Sequence, residues 1–112
     1  MAEITDEFMM AMLPKAKGYT AVLLRSGPNR TMEGADKVVW EHGRRNFSLR
    51  ADGVLSIVCP VLDDSDLAGI GIFHATAEET KEIMDGDPGV QAGLFVYELH
   101  PCRGFPGDAL PA

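Results

Sequence analysis

Apolar residues recur along the chain at two spacings, and the switches between them mark out the secondary structure. Thr5 stands ahead of Asp6 and Glu7, an N-cap followed by first-turn acids, so residues 5–13 predict a short helix that Pro14 stops. A strand through residues 8–13 fits the same apolar run. Residues 19–25 (YTAVLLR) are rich in β-formers and close on the turn cluster Ser26-Gly27-Pro28-Asn29, which predicts a first strand. Between residues 36 and 52 the period lengthens to that of a helix. Trp40, Gly43, Phe47 and Ala51 fall on one stripe, expected to meet the core or sheet, with Val38, His42 and Leu49 on its flank. Glycine costs about 1 kcal/mol relative to alanine in a helix interior, and close packing on a sheet would account for Gly43. Asp52-Gly53 ends this helix, and residues 54–59 follow as an almost continuous apolar strand that Pro60 stops.

Residues 61–66 (VLDDSD) form a polar connection to a third strand, residues 67–74. Alternation there sets Ile70, Ile72 and His74 on one face and Gly69, Gly71 and Phe73 on the other. Two glycines on one face leave room for a helix, a ligand or a second backbone. Thr76 and Glu79 make a capping box at the head of a second helix, residues 77–85, which would bury Ala77, Thr80, Ile83 and Met84. Gly86 ends it. Asp87-Pro88 combines an N-cap with a first-turn proline and opens one helical turn over residues 88–92, closed by Gly93. Residues 94–100 (LFVYELH) predict the fourth strand. Beyond them Pro106, Pro111, Gly104 and Gly107 predict an irregular tail over residues 101–112.

The resulting order is βαββαβ over residues 19–100, preceded by an extension of residues 1–18 that carries the short N-terminal helix. Four strands with two helices of matching length predict an α+β, ferredoxin-like chain with a four-stranded antiparallel sheet. The helices cover one sheet face, and no third long helix covers the other. A second copy packed face to face, giving a dimeric α+β barrel, is the expected cover, and the tail is free to dock on a further subunit. Length leads the same way: 112 residues make one small domain, in which a deep enclosed cavity is hard to build without a partner.

Composition narrows the function classes. Acidic residues outnumber basic ones 17 to 10, the net charge is −7 and the pI is near 4.8, the wrong balance for binding nucleic acid. No apolar run approaches the roughly 18 residues of a membrane span, and the acidic residues 1–7 are not a secretory signal. A cytoplasmic protein without a membrane partner is expected. Cys59 and Cys102 form no C-x-x-C pair and read as structural thiols in a reducing compartment. His42, His74 and His100 come from distant segments, so no metal is implied, and no phosphate loop, nucleophile signature or cofactor motif occurs. Arg44, Arg45 and Arg50 read as a solvated helix face, or as a holder for an anionic substrate if one of them turns inward.

Four motifs then stand in order: Trp40-Glu41-His42-Gly43; Asp52-Gly53-Val54-Leu55; Cys59-Pro60-Val61-Leu62-Asp63-Asp64; and Asp85-Gly86-Asp87-Pro88-Gly89-Val90-Gln91-Ala92-Gly93. Together they resemble the YciI-like (YCII-related) family over about residues 19–100. The resemblance implies a ferredoxin-like subunit, a homodimeric α+β barrel and a pocket with a histidine–aspartate pair at His42 and Asp87. Its wider superfamily includes lactone isomerases, monooxygenases and a dehydrochlorinase acting on small cyclic compounds. Relatives commonly carry glycine where this chain has Cys59, so that side chain is expected to fill space near the pocket.

His42 and Asp87 are therefore the candidate catalytic residues. A neutral imidazole is a competent base, and an adjacent carboxylate fixes its tautomer and balances the charge it acquires. Arg45, Cys59 and His100 are the candidate pocket-lining residues. Structural roles stand beside these: Asp87 caps a helical turn in any case, and His42 fits as a half-buried flank residue. Two readings of function follow. One is a cofactor-free acid–base enzyme of lyase or isomerase type acting on a small cyclic compound. The other is a non-catalytic dimeric module that binds a metabolite or a partner protein.

Overall fold

The computed structural model describes residues 1–112. The N-terminal residues adopt the helical of their two expected forms: α1 (Asp6–Met12) is capped by the Thr5 hydroxyl, which accepts from the Phe8 N–H at 3.1 Å. A 3-10 turn, Leu13–Lys15, leads from it into β1 (Lys17–Ser26). There follow α2 (Ala35–Ala51), β2 (Leu55–Pro60), β3 (Leu67–Phe73), α3 (Ala77–Asp85), α4 (Pro88–Gln91) and β4 (Phe95–Gly104). The sheet order is β2-β3-β1-β4, antiparallel throughout, which is the ferredoxin-like α+β arrangement. α2 packs over β2 and α3 over β4. Val22, Leu24, Leu55, Phe73, Met84, Leu94 and Phe95 form the core between the layers.

Local signals set several boundaries directly. α3 has both halves of its capping box: the Glu79 N–H donates to the Thr76 hydroxyl at 3.1 Å, and the Thr76 N–H to the Glu79 carboxylate at 2.9 Å. Gly53 and Gly93, at φ 77° and 76°, take the left-handed turns that end α2 and α4.

α2 corrects the expected stripe. Trp40 and Phe47 point outward, 70% and 69% exposed, and the inward side carries Ala35, Val39, His42, Asn46 and Leu49. At 3.6 residues per turn, Trp40 lies about 160° around the helix from His42, so the two cannot both face the sheet. A Cβ at Gly43 would meet nothing within 4 Å, so close packing is not the reason for that glycine. The tail is corrected too: β4 runs on to Gly104, pairing Pro101 with Thr20 and Gly104 with Lys17. β4 is an edge strand, where a residue without an N–H is tolerated.

The outer sheet face stays uncovered. Ala21, Leu23, Ile57, Cys59, Ile70 and Ile72 share it, and Ile70 at its middle is 37% exposed. Along β4 the face becomes charged, with Arg25 paired to Glu98 at 2.8 Å and to Asp66 at 3.1 Å, and His100 to Glu98 at 3.0 Å. The body is drawn out by the overhanging ends of β1 and β4 and by α1, which buries none of its residues. The radius of gyration is 16.4 Å, against roughly 13 Å for a compact chain of this length.

Acid should unfold this chain through a definable set of carboxylates. Hydrogen bonds from His100 and Arg25 lower the Glu98 pKa, and the Thr76 backbone and hydroxyl lower that of Glu79. Lys81 and Tyr97 do the same for Asp85, and Ser65 for Asp63. Each is depressed in the folded state, so each contribution is full above the ordinary carboxylate range and is lost as pH falls through the folded value. The melting temperature is expected to hold down to about pH 5 and to fall through about pH 4 and below. A calorimetric Tm that stays flat from about pH 6 to about pH 3 would contradict this.

Candidate active site

Between α2 and the sheet lies a cavity of about 350 Å³. Its sheet side includes Gly69 and Gly71, so the room expected above two glycines on one strand face is present. Leu24, Leu55, Val58 and Phe73 give the walls an apolar character, and α2 contributes Val39, His42 and Asn46.

Asp87 reaches the site because Pro88 starts a helical turn immediately after it. As N-cap it accepts from the Gly89 N–H at 2.9 Å and the Val90 N–H at 3.2 Å, both through Oδ2. Its side chain is 1% exposed. His42 brings Nδ1 to 2.8 Å from both carboxylate oxygens, so the pair expected from residues 45 positions apart is formed. Arg45 adds a guanidinium nitrogen 3.9 Å from Oδ1. Each polar partner of this carboxylate is a donor or a cation, which is what a buried negative group requires.

The same network assigns the imidazole tautomer. Asp87 accepts, so Nδ1 carries the hydrogen and Nε2 keeps its lone pair. The Asn46 amide nitrogen lies 3.3 Å from Nε2 and donates to it. The Phe95 ring packs against the imidazole, centroids 4.9 Å apart at 45°, and fixes its tilt. This places a basic nitrogen, backed by a buried carboxylate, on the wall of an apolar cavity.

The other three sequence candidates fall elsewhere. Arg45 touches Asp87 from behind and does not line the cavity. Cys59 lies on the open sheet face opposite Ile70, because an irregularity between Leu55 and Ile57 shifts the alternation of β2 by one residue. His100 is on that open face as well, paired with Glu98, so neither residue lines the pocket. Of the remaining arginines of α2, Arg44 bonds Glu41 on the surface and Arg50 is exposed. Asn46 went unmarked in the sequence, although four residues after His42 on one helix is the spacing that brings two side chains together. Arg30, which lines the cavity with its guanidinium 5.5 Å from the Phe95 centroid, sits in a turn segment that offered no signal.

Cys59 and Cys102 are both free thiols, and no group of three or more potential ligands is placed to hold a metal ion. No helix is long and apolar enough to cross a membrane. Neither a family model nor a curated protein matches this chain.

Proposed function

We propose that this chain is a cofactor-free acid–base enzyme of lyase or isomerase type, acting on a small cyclic compound as a YciI-like homodimer in the cytoplasm. The observation that carries the reading is the His42–Asp87 pair, with Nδ1 held on a buried carboxylate and Nε2 left as an acceptor at an apolar cavity. In the proposed step Nε2 takes a proton from a carbon beside a carbonyl, and the electron pair of that C–H bond moves into an enolate. The imidazolium, balanced by Asp87, then returns the proton to another carbon; in an elimination the enolate electrons instead form a C=C bond, and the leaving group on the adjacent carbon departs with the electron pair of its own broken bond. Asn46 must give up its 3.3 Å bond to Nε2 as substrate arrives, a contact long enough to exchange readily.

Homodimerisation is part of the proposal because the apolar outer sheet face has no cover within the chain. The alternative, a non-catalytic binding module, draws support from Asn46, which already satisfies Nε2. Exchange of carbon-bound protons in D₂O, followed by NMR across a panel of cyclic ketones and lactones, separates the two. His42→Ala is expected to slow exchange of an accepted compound by about 10²–10⁴-fold with the fold intact. Equal exchange in both proteins would leave the module reading standing.

A further inference from the structure

We propose that Arg30 makes the cavity an anion site, selecting small cyclic carboxylates over neutral compounds of the same shape; this rests on the reading of His42 as the cavity's base. No acidic residue lines the cavity, and Arg30 is its one permanently charged group. None of the ion pairs in the chain engages Arg30. Asp87, the nearest buried carboxylate in the site, is already committed to His42, Arg45 and two backbone N–H groups. A cation without a carboxylate at the wall of an apolar cavity leaves that role to a ligand.

The position of Arg30 is built. Its loop is stitched to the turn after α4: the Gly27 N–H donates to the Leu94 carbonyl at 2.7 Å and the Asn29 N–H to the Gly93 carbonyl at 2.9 Å. The Asn29 amide adds a bond to the Ala92 carbonyl at 2.9 Å. A Cβ at Gly27 would lie 2.6 Å from the Gly93 oxygen, so the two segments meet closer than any side chain permits. Arg30 and His42 both pack on Phe95, and both line the same cavity. A planar guanidinium matches both oxygens of a carboxylate, and low local polarity strengthens the pair. The protein's charge of −7 works against anions in general, so selectivity must be local.

Calorimetric titration with benzoate and with benzyl alcohol, a neutral probe of similar shape, tests this. Benzoate is expected to bind roughly tenfold or more tightly than benzyl alcohol. Arg30→Met should weaken benzoate by roughly 10–100-fold and leave benzyl alcohol unchanged, while Arg30→Lys restores part of the difference. Equal affinities for the two probes, no benzoate binding, or an Arg30→Met variant that keeps its preference would overturn the proposal. His42→Ala, titrated in parallel, should retain the preference for benzoate. Arg30-dependent binding together with proton exchange that ignores His42→Ala would refute the acid–base reading and leave the anion site intact.

Discussion

Asp87→Asn is expected to melt within a few degrees of the native protein while turnover falls by roughly 10³–10⁴-fold. The asparagine oxygen still accepts from Gly89 and Val90, so the cap survives. The amide nitrogen, however, now faces Nδ1 of His42 and donates to it. The imidazole must then carry its hydrogen on Nε2, which changes from acceptor to donor and opposes the Asn46 amide. A base that already holds its proton cannot take another from substrate at neutral pH. Asp87→Ala should behave differently. It removes the cap, worth about 1 kcal/mol, and leaves a largely buried Nδ1–H without a partner, a further 1–3 kcal/mol or so. A fall in Tm on the order of 10 °C follows. Calorimetry and the proton-exchange assay on both variants check the pair of effects. Asp87→Asn with native turnover would show that Asp87 serves only as a cap.

Ile70→Glu should convert the proposed dimer into a monomer. Ile70 lies on the outer sheet face between Leu23 of β1 and Cys59 of β2, on one of the two central strands. Light scattering of the native protein at micromolar concentration is expected to give twice the 12.1 kDa chain mass. A glutamate there would bury an unpaired charge in the interface, about 3–5 kcal/mol, weakening association by roughly a hundred- to a few-thousandfold. Within the isolated subunit the site is exposed, so the fold itself should persist. The outer face of α2, where Trp40 and Phe47 are exposed, provides the control. Loss of the dimer in Trp40→Glu but not in Ile70→Glu would move the interface to that helix.

Much of this could be read from the sequence because the deciding signals were local. The Thr76–Glu79 capping box set the start of α3, Gly53 and Gly93 set turns that require positive φ, and Asp87-Pro88 set a capped helical turn. Each depends on residues within a few positions of one another, so no tertiary information is needed. The alternation of β3 correctly separated Gly69, Gly71 and Phe73 from Ile70 and Ile72 for the same reason.

What the sequence determined, then, was the order and type of the elements and a histidine and an aspartate carried on two of them. Tertiary structure decided which face of each element looked inward. α2 has apolar residues on two stripes, and the choice fell to the one that lets His42 reach Asp87 and Ala35 approach the core. In β2 a single register shift after Leu55 turned Cys59 away from the pocket, and periodicity alone cannot register an inserted residue. Arg30 and Asn46 joined the site only through folding. One is carried there by a loop bonded to a turn more than sixty residues away, the other by the rotation of α2. A spacing rule can place a residue on its own element, but what that residue faces depends on how separate elements pack.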